Sequence, residues 1–231
     1  MRFIAIIPAR GGSKGVPRKN IAPVAGRPLI AHTIESSLAA RSIARTIVST
    51  EDEEIAQVAL QEGAEVPFRR PVELAADHTP TPDVLRHAIL WLEEQGETLD
   101  AVVLLQPTSP MRGVDNIDRA CRLFEESNAD TLISVLPVPF DHHPSWVFLD
   151  GPDGTVEPAL GRPVPPQRQA LSPAWFRDGS IYIIRKEIIV EETSVFGDKI
   201  VPFPVDPVNT VNIDRPEDLV KADQLLSALQ S

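Results

Sequence analysis

Cysteine is almost absent from this sequence, because Cys121 is the only one among 231 residues. A single cysteine excludes an internal disulfide and a metal site built from several thiolates. Ile117, Ala120 and Phe124 lie at helical spacing around Cys121. This pattern predicts that the thiol is part of the hydrophobic core, so it carries no information about the redox compartment.

Long hydrophobic runs are also absent, since no segment approaches the roughly 18 consecutive apolar residues of a membrane span. The apolar run at the N-terminus ends at Pro8 without the small-residue cleavage site of a signal peptide. The net charge of −11 provides no extended basic face for nucleic acid or an anionic membrane. A cytoplasmic protein without a membrane or nucleic-acid partner is therefore expected.

The first 34 residues lack carboxylates, and the first acidic residue is Glu35. The same stretch contains six basic residues, namely Arg2, Arg10, Lys14, Arg18, Lys19 and Arg27. Four of these lie in "PARGGSKGVPRKN" (8–20), directly after the apolar run "FIAII". So much positive charge in one part of an acidic chain indicates a site for a small anion.

The segment 8–20 combines glycine with cationic side chains. Glycines at 11, 12 and 15 permit the close backbone approach that lets successive N–H groups face one anion. Arg10, Lys14 and Lys19 supply full charges for phosphate oxygens. The segment matches neither the dinucleotide fingerprint nor the Walker loop. Its residues alone leave two interpretations open, a polyphosphate cradle and a tight basic turn.

Strand-length apolar runs alternate with helix-length amphipathic segments, which predicts a parallel sheet covered by helices on both faces. Predicted strands cover 3–8, 45–50, 65–70, 100–106, 131–138, 179–186 and 199–205. Predicted helices include 28–40, 114–127 and 216–230. Thr50 and Glu53 are predicted to form a capping box, and Thr81 to cap a helix that begins at Pro82. The fold class is therefore α/β with three layers and a Rossmann-like, mostly parallel sheet.

The regular alternation stops between residues 137 and 178, where prolines are frequent and a hairpin turn is predicted at 151–154. The apolar residues of this insertion include Trp146, Phe148, Trp175 and Phe176. A short hairpin cannot bury such side chains by itself. We therefore expect the insertion to form the interface of a homodimer.

Several segments resemble the acylneuraminate cytidylyltransferases, the CMP-sialic acid synthetases, in order along nearly the whole chain. They are "PARGGSKGVPRKN" (8–20), "RPVELAADHTPT" (70–81), "LLQPTSPMR" (104–112), "DHHP" (141–144), "RQALSPAWFRDGSIYI" (168–183) and "VNIDRPEDL" (211–219). The resemblance implies one nucleotidyltransferase domain over 1–231, with the fold of nucleotide-diphospho-sugar transferases and 137–178 as an insertion that also covers the substrate.

The resemblance implies transfer of CMP from CTP to a nine-carbon 2-keto sugar acid, with Mg²⁺ and release of pyrophosphate. Carried over by position, it assigns CTP and catalysis to Ala9, Arg10, Gly11, Gly12, Ser13, Lys14, Lys19, Asn20, Arg70, Thr81 and Asp214. It assigns the sugar acid to Gln106, His142, His143, Arg168 and Gln169, and the metal to Asn212 and Asp214. The histidine pair has a second interpretation, as surface or subunit contacts.

The proposed metal segment departs from the family pattern, in which aspartate is usual at both positions. This chain has Asn212 and Asp214, which face the same side if the segment is extended. An amide oxygen carries no charge, so weaker Mg²⁺ binding is expected. Asp214 is also a candidate N-cap of the last helix. "DGS" (178–180) replaces the more usual "NGA" beside the sugar.

Three alternatives remain open at the level of sequence. The sugar acid can be N-acetylneuraminate or a legionaminate-like or pseudaminate-like acid. A related transferase acts on eight-carbon 3-deoxy-octulosonate, although the "RQ" and "HHP" segments favour nine carbons. Because of Asn212, the chain can also be a CTP-binding protein with little or no turnover.

Overall fold

The computed structural model describes residues 1–13 and 15–230, which form ten strands and six α-helices. The strands are β1 (Phe3–Pro8), β2 (Pro23–Val24), β3 (Arg27–Pro28), β4 (Ile43–Ser49), β5 (Ala101–Leu104), β6 (Thr131–Pro137), β7 (Phe148–Asp150), β8 (Val156–Pro158), β9 (Trp175–Arg185) and β10 (Ile200–Pro204). The helices are α1 (Leu29–Ala39), α2 (Glu53–Gln61), α3 (Thr81–Glu94), α4 (Val114–Ser127), α5 (Lys186–Glu192) and α6 (Pro216–Gln230). None of the described helices combines the length and apolar content needed to cross a membrane.

Six strands form the central sheet in the order β10-β6-β9-β5-β1-β4. β1 is parallel to β4 and β5, and β10 is parallel to β6. β9 runs antiparallel to both of its neighbours, β5 and β6. The predicted three-layer α/β fold with a mostly parallel sheet is confirmed.

Alternation along the strands separates two hydrophobic clusters, one on each face of the sheet. In β1, Phe3 and Ile7 belong to the cluster beneath α1, α2 and α4, whereas Ile4 and Ile6 belong to the cluster beneath α3 and α5. Successive side chains of a strand point to opposite faces, so an almost wholly apolar strand serves both clusters. Cys121 is buried in the first cluster, and burial raises its pKa to about 12.

Helix starts differ in detail from the sequence predictions. The prediction of a capping box formed by Thr50 and Glu53 is wrong. Asp52 is the N-cap of α2, and its Oδ1 accepts the Ile55 N–H at 3.0 Å. Thr81 is the first residue of α3 and not its cap, and Pro28 precedes α1 in an extended conformation. The predicted strand 65–70 is reduced to a single bridge between Ile47 and Glu65.

The insertion 137–178, which ends in the first residues of β9, contains the predicted hairpin, formed by β7 and β8. The remainder of this insertion consists of turns of 3₁₀ helix and extended chain. Its apolar side chains are poorly covered, since Phe148 is 50% exposed, Trp175 44% and Phe176 45%. The insertion therefore contributes little to the core and leaves an apolar surface.

Phe124 on α4 is predicted to be a main contributor to stability. Its fully buried ring packs edge-on against Phe3, with ring centroids 6.1 Å apart. Phe124→Ala removes this contact and leaves a cavity, so it should lower the free energy of unfolding by about 3–5 kcal/mol. Urea denaturation measures this change.

The matched control is Leu60→Ala on α2, where the side chain is 57% exposed. A surface substitution of this kind should change the free energy of unfolding by less than about 0.5 kcal/mol. Equal losses in the two variants would contradict the assignment of Phe124 to the core.

Candidate active site

A cavity of about 420 Å³ opens beyond the carboxyl ends of β1 and β5. Ligands of open α/β sheets bind at this edge. The cavity gathers predicted residues from both ends of the chain: Arg10, Ser13, Lys19, Asn20, Arg70, Thr81, Gln106, Asn212 and Asp214. Lys14, a predicted phosphate ligand, lies outside the described residues.

The loop after β1 is fixed by hydrogen bonds to neighbouring segments. The Ala9 N–H donates to the Ser49 carbonyl at the end of β4 (3.0 Å), and the Gly11 N–H donates to Glu51 Oε1 (2.6 Å). Asn20 is buried, and its Nδ2 donates to the Arg10 carbonyl at 2.9 Å. Asn20 thus shapes the loop as well as lining the cavity.

Glycine is required at position 15 because the loop packs directly on the C-terminal segment. A Cβ at Gly15 would lie 2.2 Å from the Asp214 carbonyl oxygen, whereas a Cβ at Gly12 would meet nothing within 4 Å. Lys19 Nζ donates to the Ile213 carbonyl (2.7 Å) and lies 3.5 Å from Asp214 Oδ1. The basic loop and the predicted metal segment therefore form one wall.

Each described cation of the cavity has a carboxylate partner from another segment. Arg10 pairs with Asp77, and Arg70 Nη2 lies 2.8 Å from Glu51 Oε2. Neither Glu51 nor Asp77 is among the predicted site residues, although Asp77 lies within the segment 70–81 and Glu51 directly follows the predicted strand 45–50. The cavity is therefore close to charge balance without a ligand.

Arg70 is 4% exposed, and its Nε has no hydrogen-bond partner among the described residues. The nearby His87 packs edge-on against Phe68, with ring centroids 5.0 Å apart. Burial, with a further contribution from the Arg70 charge, lowers the pKa of His87. A lowered pKa favours the neutral imidazole, which adds no repulsion to the charge of Arg70.

In the predicted metal segment, successive side chains point to opposite sides, as expected of an extended chain. Asn212 and Asp214 both line the cavity, with Asn212 Nδ2 3.0 Å from Asp214 Oδ2, while Ile213 between them is buried. The predicted N-cap role of Asp214 is wrong. Arg215 directly precedes α6, and Asp218 in the first turn of this helix accepts the N–H groups of Asp214 (3.0 Å) and Arg215 (2.8 Å) through its Oδ2.

The donor set of this segment suits Mg²⁺ only in part. Mg²⁺ prefers hard oxygen ligands and usually keeps water and substrate phosphates in its shell. Asp214 offers a carboxylate and Asn212 an amide oxygen. Over the residues that the structure describes, no group of three or more His, Cys, Asp or Glu side chains forms an ion site. A Mg²⁺ here would depend on phosphate oxygens.

Four predicted sugar ligands belong to the insertion and do not line the cavity, namely His142, His143, Arg168 and Gln169. His143 is buried, with Nε2 2.9 Å from the Ser172 carbonyl and Nδ1 accepting the Ser145 N–H at 3.2 Å. Arg168 lies over the Phe140 ring at 3.9 Å from its centroid. Of the predicted sugar ligands, Gln106 alone lines the cavity of this chain.

The chain is similar over its full length to enzymes of one family. A family model described as cytidylyltransferase matches residues 4–226. The CMP-N,N'-diacetyllegionaminic acid synthase of Legionella pneumophila is 33% identical, over 100% of this chain and 98% of that protein. The pseudaminic acid cytidylyltransferase of Campylobacter jejuni is 32% identical, over 95% of this chain and 94% of that protein.

An N-acylneuraminate cytidylyltransferase of Streptococcus agalactiae is 31% identical over 95% of this chain, which spans about half of that protein (52%). Among solved structures, a CMP:2-keto-3-deoxy-manno-octonic acid synthetase complexed with CTP matches with a TM-score of 0.75 at 18% identity, over 99% of this chain and 100% of that one. At such identity the structural match shows a shared fold. The family model and the sequence relatives show that this chain belongs to the cytidylyltransferase family.

Proposed function

We propose that this protein transfers the CMP group of CTP to a nine-carbon 2-keto sugar acid and releases pyrophosphate. The observation that carries the proposal is the convergence of the basic glycine-rich loop and the Asn212–Asp214 segment in one cavity. This arrangement suits a magnesium triphosphate, which needs cations and hard oxygen ligands together. Relatives named for legionaminic, pseudaminic and N-acylneuraminic acids support a nine-carbon acceptor.

Arg10 and Lys19 are the described cations that would hold the triphosphate. In the proposed reaction the anomeric hydroxyl of the sugar acid attacks the α-phosphorus of CTP, and the bond to the bridging oxygen of pyrophosphate breaks. The hydroxyl proton is released as the new P–O bond forms. Arg10 and Lys19, together with the predicted Lys14, would neutralise the charge of the departing pyrophosphate. Catalysis then consists mainly of alignment and charge stabilisation.

The remaining groups of the cavity would hold and orient the two substrates. Arg70, Thr81 and the amide of Asn20, which line the cavity, would contact the nucleoside end of CTP. Gln106, from the end of β5, would contact the sugar acid. Mg²⁺ bound by Asp214 and Asn212 would supply further positive charge to the phosphate oxygens.

The experiment that tests the function measures pyrophosphate release from CTP with Mg²⁺ and a panel of sugar acids. The panel contains N-acetylneuraminate, a legionaminate, a pseudaminate and 3-deoxy-octulosonate. We expect release with at least one nine-carbon acid. Lys19→Ala and Asp214→Ala should each lower kcat/KM at least about 100-fold, because each removes charge stabilisation at the phosphates.

Lys221→Ala, an exposed lysine on α6, is the control and should retain full activity. Release with the eight-carbon acid alone would replace the nine-carbon assignment. Binding of CTP in calorimetry without release under any acid of the panel would instead identify a nucleotide-binding protein.

Asn212 should determine how strongly the site binds Mg²⁺. Asn212→Asp places a second carboxylate about 3 Å from that of Asp214 and raises the negative charge available to the cation. We expect the Mg²⁺ concentration for half-maximal activity to fall about tenfold, since affinity follows the charge of the ligands. A Mg²⁺ titration of activity at saturating CTP measures this value.

Asn212→Ala, which removes the oxygen ligand, should move the Mg²⁺ requirement in the opposite direction. If both variants show the Mg²⁺ dependence of the unmodified protein, then Asn212 is not a ligand.

We also propose that two copies associate through the insertion 137–178. Its exposed aromatic side chains form an apolar surface within the described residues, and adjacent hairpin strands of three residues each cannot cover it. A second copy would bury the surface of both chains at once, as a two-fold interface does.

The unmodified protein is expected to sediment as a dimer at micromolar concentration, and Phe176→Glu should shift it to the monomer. Phe196 is similarly exposed (39%) but lies outside the insertion. Phe196→Glu should therefore leave the dimer intact. If the unmodified protein sediments as a monomer at micromolar concentration, the proposal fails.

A further inference from the structure

Gln106 follows β5 and lies where the loop 105–113 meets β9. Its side chain lines the 420 Å³ cavity, and its carbonyl oxygen accepts a hydrogen bond from Arg112 Nη2 at 2.9 Å. The Ser109 N–H donates to the same carbonyl at 3.3 Å. The backbone at Gln106 is thus held from within its own loop.

Arg112 joins this loop to two other parts of the fold. Its Nε donates to the Ser180 carbonyl in β9 at 2.6 Å, and its Nη1 donates to Thr33 Oγ1 in α1 at 3.2 Å. The residue is only 6% exposed, and all three hydrogen bonds end at uncharged oxygen atoms. A buried guanidinium costs desolvation energy that neutral acceptors repay only in part. What the three hydrogen bonds achieve is to join the loop 105–113, β9 and α1.

Burial lowers the pKa of the Arg112 guanidinium to about 9, and the negative charge of Asp178 acts against this shift. Asp178 is itself 6% exposed and accepts the Ser180 N–H at 3.2 Å. Arg112 is therefore charged at neutral pH. Asp178 and Arg112 both contact Ser180 and hold the start of the buried part of β9.

Gly179 lies between Asp178 and Ser180 with φ of +86°, a conformation that favours glycine. A Cβ at this position would lie 3.1 Å from Gln106 Oε1 and 3.9 Å from Ser109 Oγ. The Gln106 side chain consequently passes directly over the backbone of Gly179. Any larger residue would press on the amide that lines the cavity.

We propose that Arg112 and Gly179 are positioning residues that set the orientation of Gln106 toward the sugar acid. Arg112 fixes the Gln106 backbone relative to β9, and Gly179 leaves the space that the side-chain amide occupies. This inference rests on the proposed function, in which Gln106 contacts the acceptor. In that function both residues act through Gln106, so they should affect binding of the sugar acid and not of CTP.

The main test is Gly179→Ala, assayed by pyrophosphate release. We expect the KM for the sugar acid to rise about tenfold or more, since small displacements of a positioning group have effects of this size. The calorimetric Kd for CTP should stay within about twofold. Gly96→Ala is the matched control, because Gly96 has φ of +78° and its Cβ would meet nothing within 4 Å. Gly96→Ala imposes a similar backbone strain without a contact to Gln106, so it should leave the KM for the sugar acid unchanged.

A double-mutant cycle separates positioning from general destabilisation. Gln106→Ala removes the amide that a Cβ at position 179 would meet. In that background, Gly179→Ala should add no further rise in KM. Additive effects of the two substitutions would overturn the proposal.

Arg112→Lys and Arg112→Met test the proposed role of Arg112 in fixing the backbone of Gln106. Lysine keeps the charge but cannot bond the Ser180 and Gln106 carbonyls in the geometry of a guanidinium, whereas methionine leaves both unpaired. The KM for the sugar acid should rise in both variants, more in Arg112→Met, with CTP affinity retained. If Arg112→Met does not fold, Gly179→Ala and Arg112→Lys decide the question.

The outcomes distinguish this inference from the proposed function. If the unmodified protein releases pyrophosphate but Gly179→Ala leaves the KM for the sugar acid unchanged, the inference fails and the function stands. If the unmodified protein turns over no sugar acid, both fail.

Discussion

The cavity depends on one tertiary contact, the docking of residues 211–214 between the loop after β1 and the loop after β5. The Ile213 N–H donates to the Thr108 carbonyl at 2.8 Å, and the Ile213 carbonyl accepts from Lys19 Nζ at 2.7 Å. The fully buried Ile213 side chain packs in a third cluster with Val24, Leu29 and Ala222. These contacts hold Asp214 beside Gly15, about 200 positions away in the chain. The interior position of Ile213 thus fixes the two neighbouring polar side chains on the cavity wall.

Charge balance is the second constraint on this site. The chain carries an excess of acidic residues, yet its opening loop has none, so the counter-charges come from Glu51, Asp77 and Asp214. When a triphosphate entered the cavity, the cations would exchange their carboxylate partners for phosphate oxygens. Such an exchange keeps every cation partnered, which limits the desolvation cost of binding. It also makes affinity dependent on how easily those carboxylates are displaced.

Much of the fold and part of the site follow from local sequence, and the reasons for the failures are physical. Apolar runs predict the strands, because strands buried on both faces of the sheet are almost wholly apolar. Amphipathic segments predict the helices, because a helix that covers the sheet is apolar on one side. The direction of β9 is not predictable in this way, since a buried strand has the same composition in either direction. A helix cap such as Asp52 depends on one or two residues of backbone register. The ion pair of Arg10 with Asp77 depends on folding that joins segments 67 positions apart.

Some predicted site residues belong to segments that the core holds in place, and others belong to the exposed insertion. Arg70 and Asn20 are buried and belong to segments fixed by the core, as is the Ile213 segment that presents Asp214. Gln106 is tied to the core through Arg112. By contrast, Arg168 and Gln169 lie on an exposed 3₁₀ turn of the insertion. Segments with few buried contacts tolerate sequence change more readily than core elements do. Under the proposed function, the insertion could therefore change its sequence, and with it the selectivity among sugar acids, while the core holds the geometry of the cavity in place.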